Sequence, residues 1–339
     1  MRRKLALTLG IGLAVVLLGI ALGSVWIAPG QIFGIVGHRM FGTPLPAHIP
    51  DTAVSIVWSL RLPRVLLAFL AGGALSVSGA VMQSVLRNPL ASSYTLGVSA
   101  GASLGACLVL LYGAVLPLVG GLTLPLFGFV FGVTTMLLAV AFASKLDGRM
   151  ENNTIILVGV VFTLFVGAVT TLLAALERES LQRLIFWQMG SFSTQGFGAV
   201  WMLLPVILAG SLGILRLHRE LDMLTFGEAE AQTMGVDLRR VKWALLCLAA
   251  AVTGSTIAFV GVIGFVDLVV PHIVRRIFGA SHRIVVPMSF VLGGAFMVAA
   301  DLVARTVIPH SELPVGVVTA LLGAPFFLLI YGRRRARTC

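Results

Sequence analysis

The chain has 339 residues, of which 58% are hydrophobic and only 11% charged, and its formal net charge is +11. Soluble domains carry about a quarter charged residues, so this composition excludes an ordinary water-solvated fold and points to lipid as the solvent. Cys107, Cys247 and Cys339 show neither paired spacing nor a neighbouring histidine cluster, which excludes a disulfide framework and a thiolate metal centre.

Apolar runs recur from end to end, each close to the ~20 residues needed to cross a hydrocarbon core of ~30 Å. The first, about Leu5 to Ile27, follows Met1-Arg2-Arg3-Lys4. It exceeds the ~7–15-residue core of a cleavable signal, so it reads as a retained helix. An outside segment over about 28–60 is rich in Pro, Gly and His. Helix 2 is predicted at Val65 to Leu86, helix 3 at Tyr94 to Leu111, helix 4 at Leu122 to Ala143 and helix 5 at Thr154 to Leu176. The segment 177–194 is amphipathic and reads as an interfacial helix on the outer face. Helix 6 follows at Phe197 to Leu215. The stretch 216–241 is the most polar in the chain and belongs in water. Helices 7 to 10 are expected at Trp243 to Phe259, Phe265 to Ile277, Ile284 to Leu302 and Val315 to Tyr331.

The expectation is therefore an all-α integral membrane protein, a single transmembrane domain over 1–339 with ten crossings and both termini cytoplasmic. Of the 24 basic residues, all but Arg39, Arg61, Arg64, Arg178, Arg183 and Arg305 then fall on the inside, which is the positive-inside bias. The charge is thus explained by topology without nucleic acid. The basic tail from Arg333 fits the same side and anionic headgroups. RVLLAFLAGGALSVSG from Arg64 echoes RVKWALLCLAAAVTGS from Arg240 on the opposite side, as an inverted-topology repeat would; chance similarity between apolar segments accounts for it nearly as well.

No P-loop is present in the sequence, because that motif needs Gly-Lys-[Ser/Thr] and Lys4, Lys145 and Lys242 follow Arg3, Ser144 and Val241. Small residues at Gly72, Gly73, Ser76, Ser78, Gly79 and Gly97 to Ala106 serve close helix packing before any pore-lining role. Asp267 and His272 are the intramembrane polar candidates, since charge at membrane depth costs at least ~2.5 kcal/mol. Asp267 also reads as a simple cap near a helix end, and His272 as a hydrogen-bonded packing residue. Neither offers metal-ligand spacing, so no metal is expected. Arg61, Arg64 and Arg305 stand at outer helix mouths, suited either to snorkelling or to pairing with carboxylates on a docking protein. Glu228 to Met234, bounded by Gly227 and Gly235, reads either as a solvated loop or as a short knob for a partner's groove.

Four ordered stretches carry a family resemblance: Arg61 to Ala106, FGEAEAQTMGVDLRRV, GFVDLVVPHIVRR, and ADLVARTVIPHSELPVGVVTALLGAPFF. Together they resemble the FecCD-type permeases of siderophore, haem and cobalamin ABC importers, over nearly the whole chain. The resemblance implies a permease dimer, or a pair with a close paralogue, in the bacterial inner membrane. It implies two cytoplasmic ATPase subunits that hold ATP and magnesium, and a periplasmic or lipid-anchored binding protein that delivers cargo; the permease itself is non-catalytic and carries no cofactor. By the same resemblance Arg61, Arg64 and Arg305 face glutamates of the binding protein. Gly227, Glu228, Ala231 and Gly235 belong to the ATPase-coupling segment, and Asn88, Leu90, Asn152 and Asn153 to inner gate loops. Asp267 departs from the family, which commonly carries glycine in a GFVGL-like run. An iron-siderophore is the first cargo expected, with haem and cobalamin as alternatives; the scattered outer histidines His38, His48 and His310 do not discriminate. The competing class is an ion-coupled secondary transporter built on Asp267 and the inverted echo. An intramembrane enzyme lacks a paired acid and base.

Overall fold

The computed structural model describes residues 2–335 apart from 24, 47, 48, 149, 178–180, 194, 309 and 310, with side chains described as far as residue 326. His48, His310 and part of the basic tail lie outside the described residues.

Every described element is helical: α1 (Arg2–Ala21), α2 (Pro29–Phe41), α3 (Asp51–Ser55), α4 (Leu62–Val85), α5 (Val98–Leu110), α6 (Thr123–Leu146), α7 (Asn152–Leu176), α8 (Leu181–Gln188), α9 (Phe197–Arg216), α10 (His218–Phe226), α11 (Glu228–Thr233), α12 (Leu238–Val260), α13 (Val266–Phe278), α14 (His282–Thr306) and α15 (Val315–Arg335). Each apolar segment read from the sequence falls on one of them. Among the described residues 7 helical spans are long and apolar enough to cross a membrane, and Val98–Leu110 and Val315–Phe326 are shorter apolar helices.

Burial sorts the helices. α4 packs against α14, α12 and α13, and of its 24 residues only Leu62, Leu66 and Phe69 escape full burial. It is the axis of the subunit. α7 instead exposes Leu157, Val161, Leu164, Phe165 and Leu172, and α9 exposes Trp201 and Leu212. Large apolar side chains left uncovered along whole helices suit contact with lipid or with a second membrane subunit. The α4–α14 contact is made backbone to backbone: a Cβ on Gly72 would strike the Gly293 carbonyl, and one on Gly293 would strike Ser76. Without a hydrophobic force between helices in lipid, this close van der Waals approach is what holds them.

Two differences from the sequence reading matter for the site. The outer segment 28–60 is largely helical, holding α2 and the start of a continuous 35-residue span over Asp51–Val85. A π-helical turn at Ile56–Arg61 lets it run through Pro63, whose missing N–H and ring would otherwise break an α-helical ladder. Arg61, at the end of this turn, is buried. The second difference is that α5 begins only at Val98, after an irregular segment 86–97 closed by Gly97 at φ 95°. α13 is likewise a 13-residue helix after an irregular turn, 261–265. Thus each of the two echoing helices, α4 and α12, is followed by a break and then a half-length helix.

Candidate functional site

At the end of the bundle expected to face outward, the three arginines singled out in sequence converge on one cavity of about 590 Å³, lined also by Ser59, Gln195 and Glu312. Arg61 lies at the end of the π-turn and donates to Ile20 O (2.9 Å), Ala21 O (2.9 Å) and Val25 O (2.6 Å). It satisfies the carbonyls orphaned where α1 ends, and its positive charge meets the negative end of that helix. Arg64 grips Asp301 through Nε and Nη2 at 2.9–3.1 Å, while its Nη1 reaches both oxygens of Glu312 at 2.8 and 3.0 Å. Arg305 donates to Gly19 O and stands 3.6 Å from Asp301.

These guanidinium groups are therefore engaged inside the subunit, and Arg61 is only 5% exposed. Three arginines against Asp301 and Glu312 leave a single net positive charge. An incoming carboxylate could pair with Arg305, whose Nε has no hydrogen-bond partner among the described residues, or displace an internal partner of Arg64. The replaceable one is Glu312, whose side chain is 48% exposed, whereas Asp301 is fully enclosed. The two acids were not singled out in sequence, although Asp301 stands four residues before Arg305, the spacing of a helical ion pair.

In the interior the two irregular segments meet. Ser92 donates to Asp267, Tyr94 donates its hydroxyl to Ile263 O at 2.6 Å, and Thr253, Ser78 and Ser93 form a hydroxyl triangle at 2.7–3.1 Å. Asp267 sits in the first turn of α13, where exposed N–H groups favour a carboxylate. It is buried, and its Oδ1 has no hydrogen-bond partner among the described residues. The half-buried His272 lies on the same helix.

At the end expected to face inward, α10 and α11 are separated by Gly227 at φ 145°, and α11 is closed by Gly235 at φ 88°. Both conformations suit glycine, so the short helix is set off by two swivels. Ala231 is fully buried and anchors it, while Phe226 and Met234 at its ends are 73% and 49% exposed. Glu228 points the other way, to Lys242 at 2.8 Å. Of the gate candidates, Asn88 accepts from the Leu90 N–H at 2.9 Å, Leu90 and Asn153 are exposed, and Asn152 accepts from Lys242 at 3.0 Å. Through Lys242 the turn at 150–152 and the start of α11 are joined by hydrogen bonds. Nearby, His282 bridges Asp222 of α10 (2.6 Å) and Ser84 of α4 (2.7 Å).

Seven long apolar spans, an apolar exterior, an arginine-lined cavity and interior broken helices fit a multi-pass membrane permease. The chain belongs to the FecCD transport family, which matches residues 11–333. It is 41% identical to the uncharacterised ABC transporter permease protein YvrB of Bacillus subtilis (strain 168), over 94% of this chain and 90% of that protein. It is 39% identical to the cobalamin import system permease protein BtuC of Halobacterium salinarum, over 88% of this chain and 79% of that one. Among solved structures, an inward-facing metal-chelate type ABC transporter superposes with a TM-score of 0.85 at 27% identity, covering 98% of this chain and 100% of the other.

Proposed function

We propose that this chain is the translocating subunit of a binding-protein-dependent importer that carries an iron-siderophore complex, haem or cobalamin unchanged into the cytoplasm. Two copies, or one copy and a close paralogue, would form the path between them in a bacterial inner membrane, each crossing ten times with both termini inside. The observation that carries this reading is α11. A six-residue helix set between two swivel glycines, anchored by a buried alanine and flanked by exposed Phe226 and Met234, is suited to a partner's cleft. Since the chain has no P-loop, that partner would be the ATPase. On the outer side, docking would proceed by exchange: carboxylates of the binding protein displace Glu312 from Arg64 and approach Arg61 and Arg305 across the cavity.

The similarity to a cobalamin permease and to a metal-chelate transporter supports a large chelate as cargo. Membrane vesicles holding this chain, its ATPase and its binding protein should accumulate one of three radiolabelled probes, a ferric siderophore, haemin or cyanocobalamin, in an ATP-dependent manner. Accumulation of none of them by a complex that hydrolyses ATP in response to its binding protein would overturn the cargo class.

A further inference from the structure

Lys242, in the second turn of α12, is fully enclosed, and neither face of the transporter uses it directly. Its ammonium has three N–H bonds and finds three acceptors: Met150 O at 2.7 Å, Asn152 Oδ1 at 3.0 Å and Glu228 Oε1 at 2.8 Å. The acceptors belong to two separate parts of the inner face. Glu228 is the first residue of α11, next to the swivel at Gly227. Met150 and Asn152 belong to the turn into α7, where Met150 holds a left-handed backbone, φ 53°, with its side chain buried.

We infer that Lys242 is a positioning residue of the transport cycle, passing displacement of α11 to the inner end of α7 through one ion pair whose ammonium is enclosed while its carboxylate partner is 25% exposed. This rests on the importer reading above and says how its energy input reaches the path. The physical reason is that an ammonium pulled out of one contact inside the protein has no water to replace it, so its partners move together or the charge is stranded. Lysine suits the task because its point charge and rotatable donors keep contact while acceptors shift, where a planar guanidinium fixes one geometry. Helix motion at an interface then becomes displacement of a gate loop, without a separate chemical step.

The test uses the assembled importer in proteoliposomes, with uptake per ATP hydrolysed as the first readout. The second is the distance between spin labels on the exposed residues Asn153 and Gln232, read with and without nucleotide. Lys242→Met should still co-purify with the ATPase, lose at least ten-fold in uptake per ATP, and show α11 moving while the 153 label stays. Lys242→Arg should recover only part of the loss. Glu228→Gln, which keeps an acceptor oxygen, should lower the ratio less, and the double variant should be no worse than Lys242→Met alone, since both cut one link. Unchanged uptake per ATP in an assembled Lys242→Met complex would overturn the inference. If that variant fails to assemble, a wild-type ratio and label distance in Glu228→Gln would do the same. Failure of ATP-driven uptake by the wild-type complex counts instead against the importer reading, independently of any variant.

Discussion

Arg64→Ala is expected to destabilise the subunit by about 3–5 kcal/mol, the cost of stranding a buried partner charge. Asp301 is wholly enclosed and takes three of Arg64's hydrogen bonds, and Arg305, 3.6 Å away, is poorly placed to replace them. The magnitude separates two ideas of what Arg64 does. A hydrogen bond between membrane helices averages only ~0.6 kcal/mol, and an exposed docking cation contributes almost nothing to the isolated subunit's stability. The measurement is the apparent unfolding temperature of the purified subunit in detergent, which should fall sharply for Arg64→Ala and partly recover in Arg64→Met with Asp301→Leu. An unfolding temperature equal to wild type would mean that Arg64 is held for docking alone. Arg61→Glu would set a carboxylate against three carbonyls and is likewise expected to destabilise the subunit.

Phe226→Asp with Met234→Asp should abolish ATPase association and reduce uptake by 30-fold or more, while leaving the subunit's own unfolding temperature unchanged. Both side chains are largely exposed in the isolated subunit, at 73% and 49%, so little folded-state contact is lost compared with what an interface would lose. At an interface, apolar anchors of this kind commonly carry at least about 2 kcal/mol each, which corresponds to roughly 30-fold in affinity. Co-purification of the ATPase with a tagged permease gives the answer. Retention of a full complement of ATPase by the double variant would remove α11 from the interface.

Much of the helix framework was legible in the sequence because lipid imposes a simple code: a run of apolar residues ended by arginine or lysine. The code misjudged the stretch from Asp51, where a π-turn at Ile56–Arg61 carries the helix through a proline that reads as a boundary. It also placed the start of the third helix at Tyr94 rather than Val98, because the irregular segment 86–97 is apolar enough to pass for helix although its hydrogen bonds go to side chains and turns. At the sites, residue type was more legible than residue duty. Arg61, Arg64 and Arg305 were picked as outer cations and do meet at one cavity. What sequence hid is that their positive charge is already largely matched, since Glu312 and the carbonyls of α1 are brought to them only by folding. Lys242 was read only as failing to make a P-loop. Its acceptors at Met150 and Asn152 lie 92 and 90 positions away, a link carried by no local pattern.

Uptake into proteoliposomes separates a conduit driven from outside itself from a transporter complete in one chain. With binding protein, cargo and the ATPase partner present, internalisation should follow ATP and stop when the ATPase is omitted, whatever proton or sodium gradient is imposed. Cargo accumulation by this chain alone under an ion gradient, lost on Asp267→Asn, would contradict the importer and restore the ion-coupled alternative.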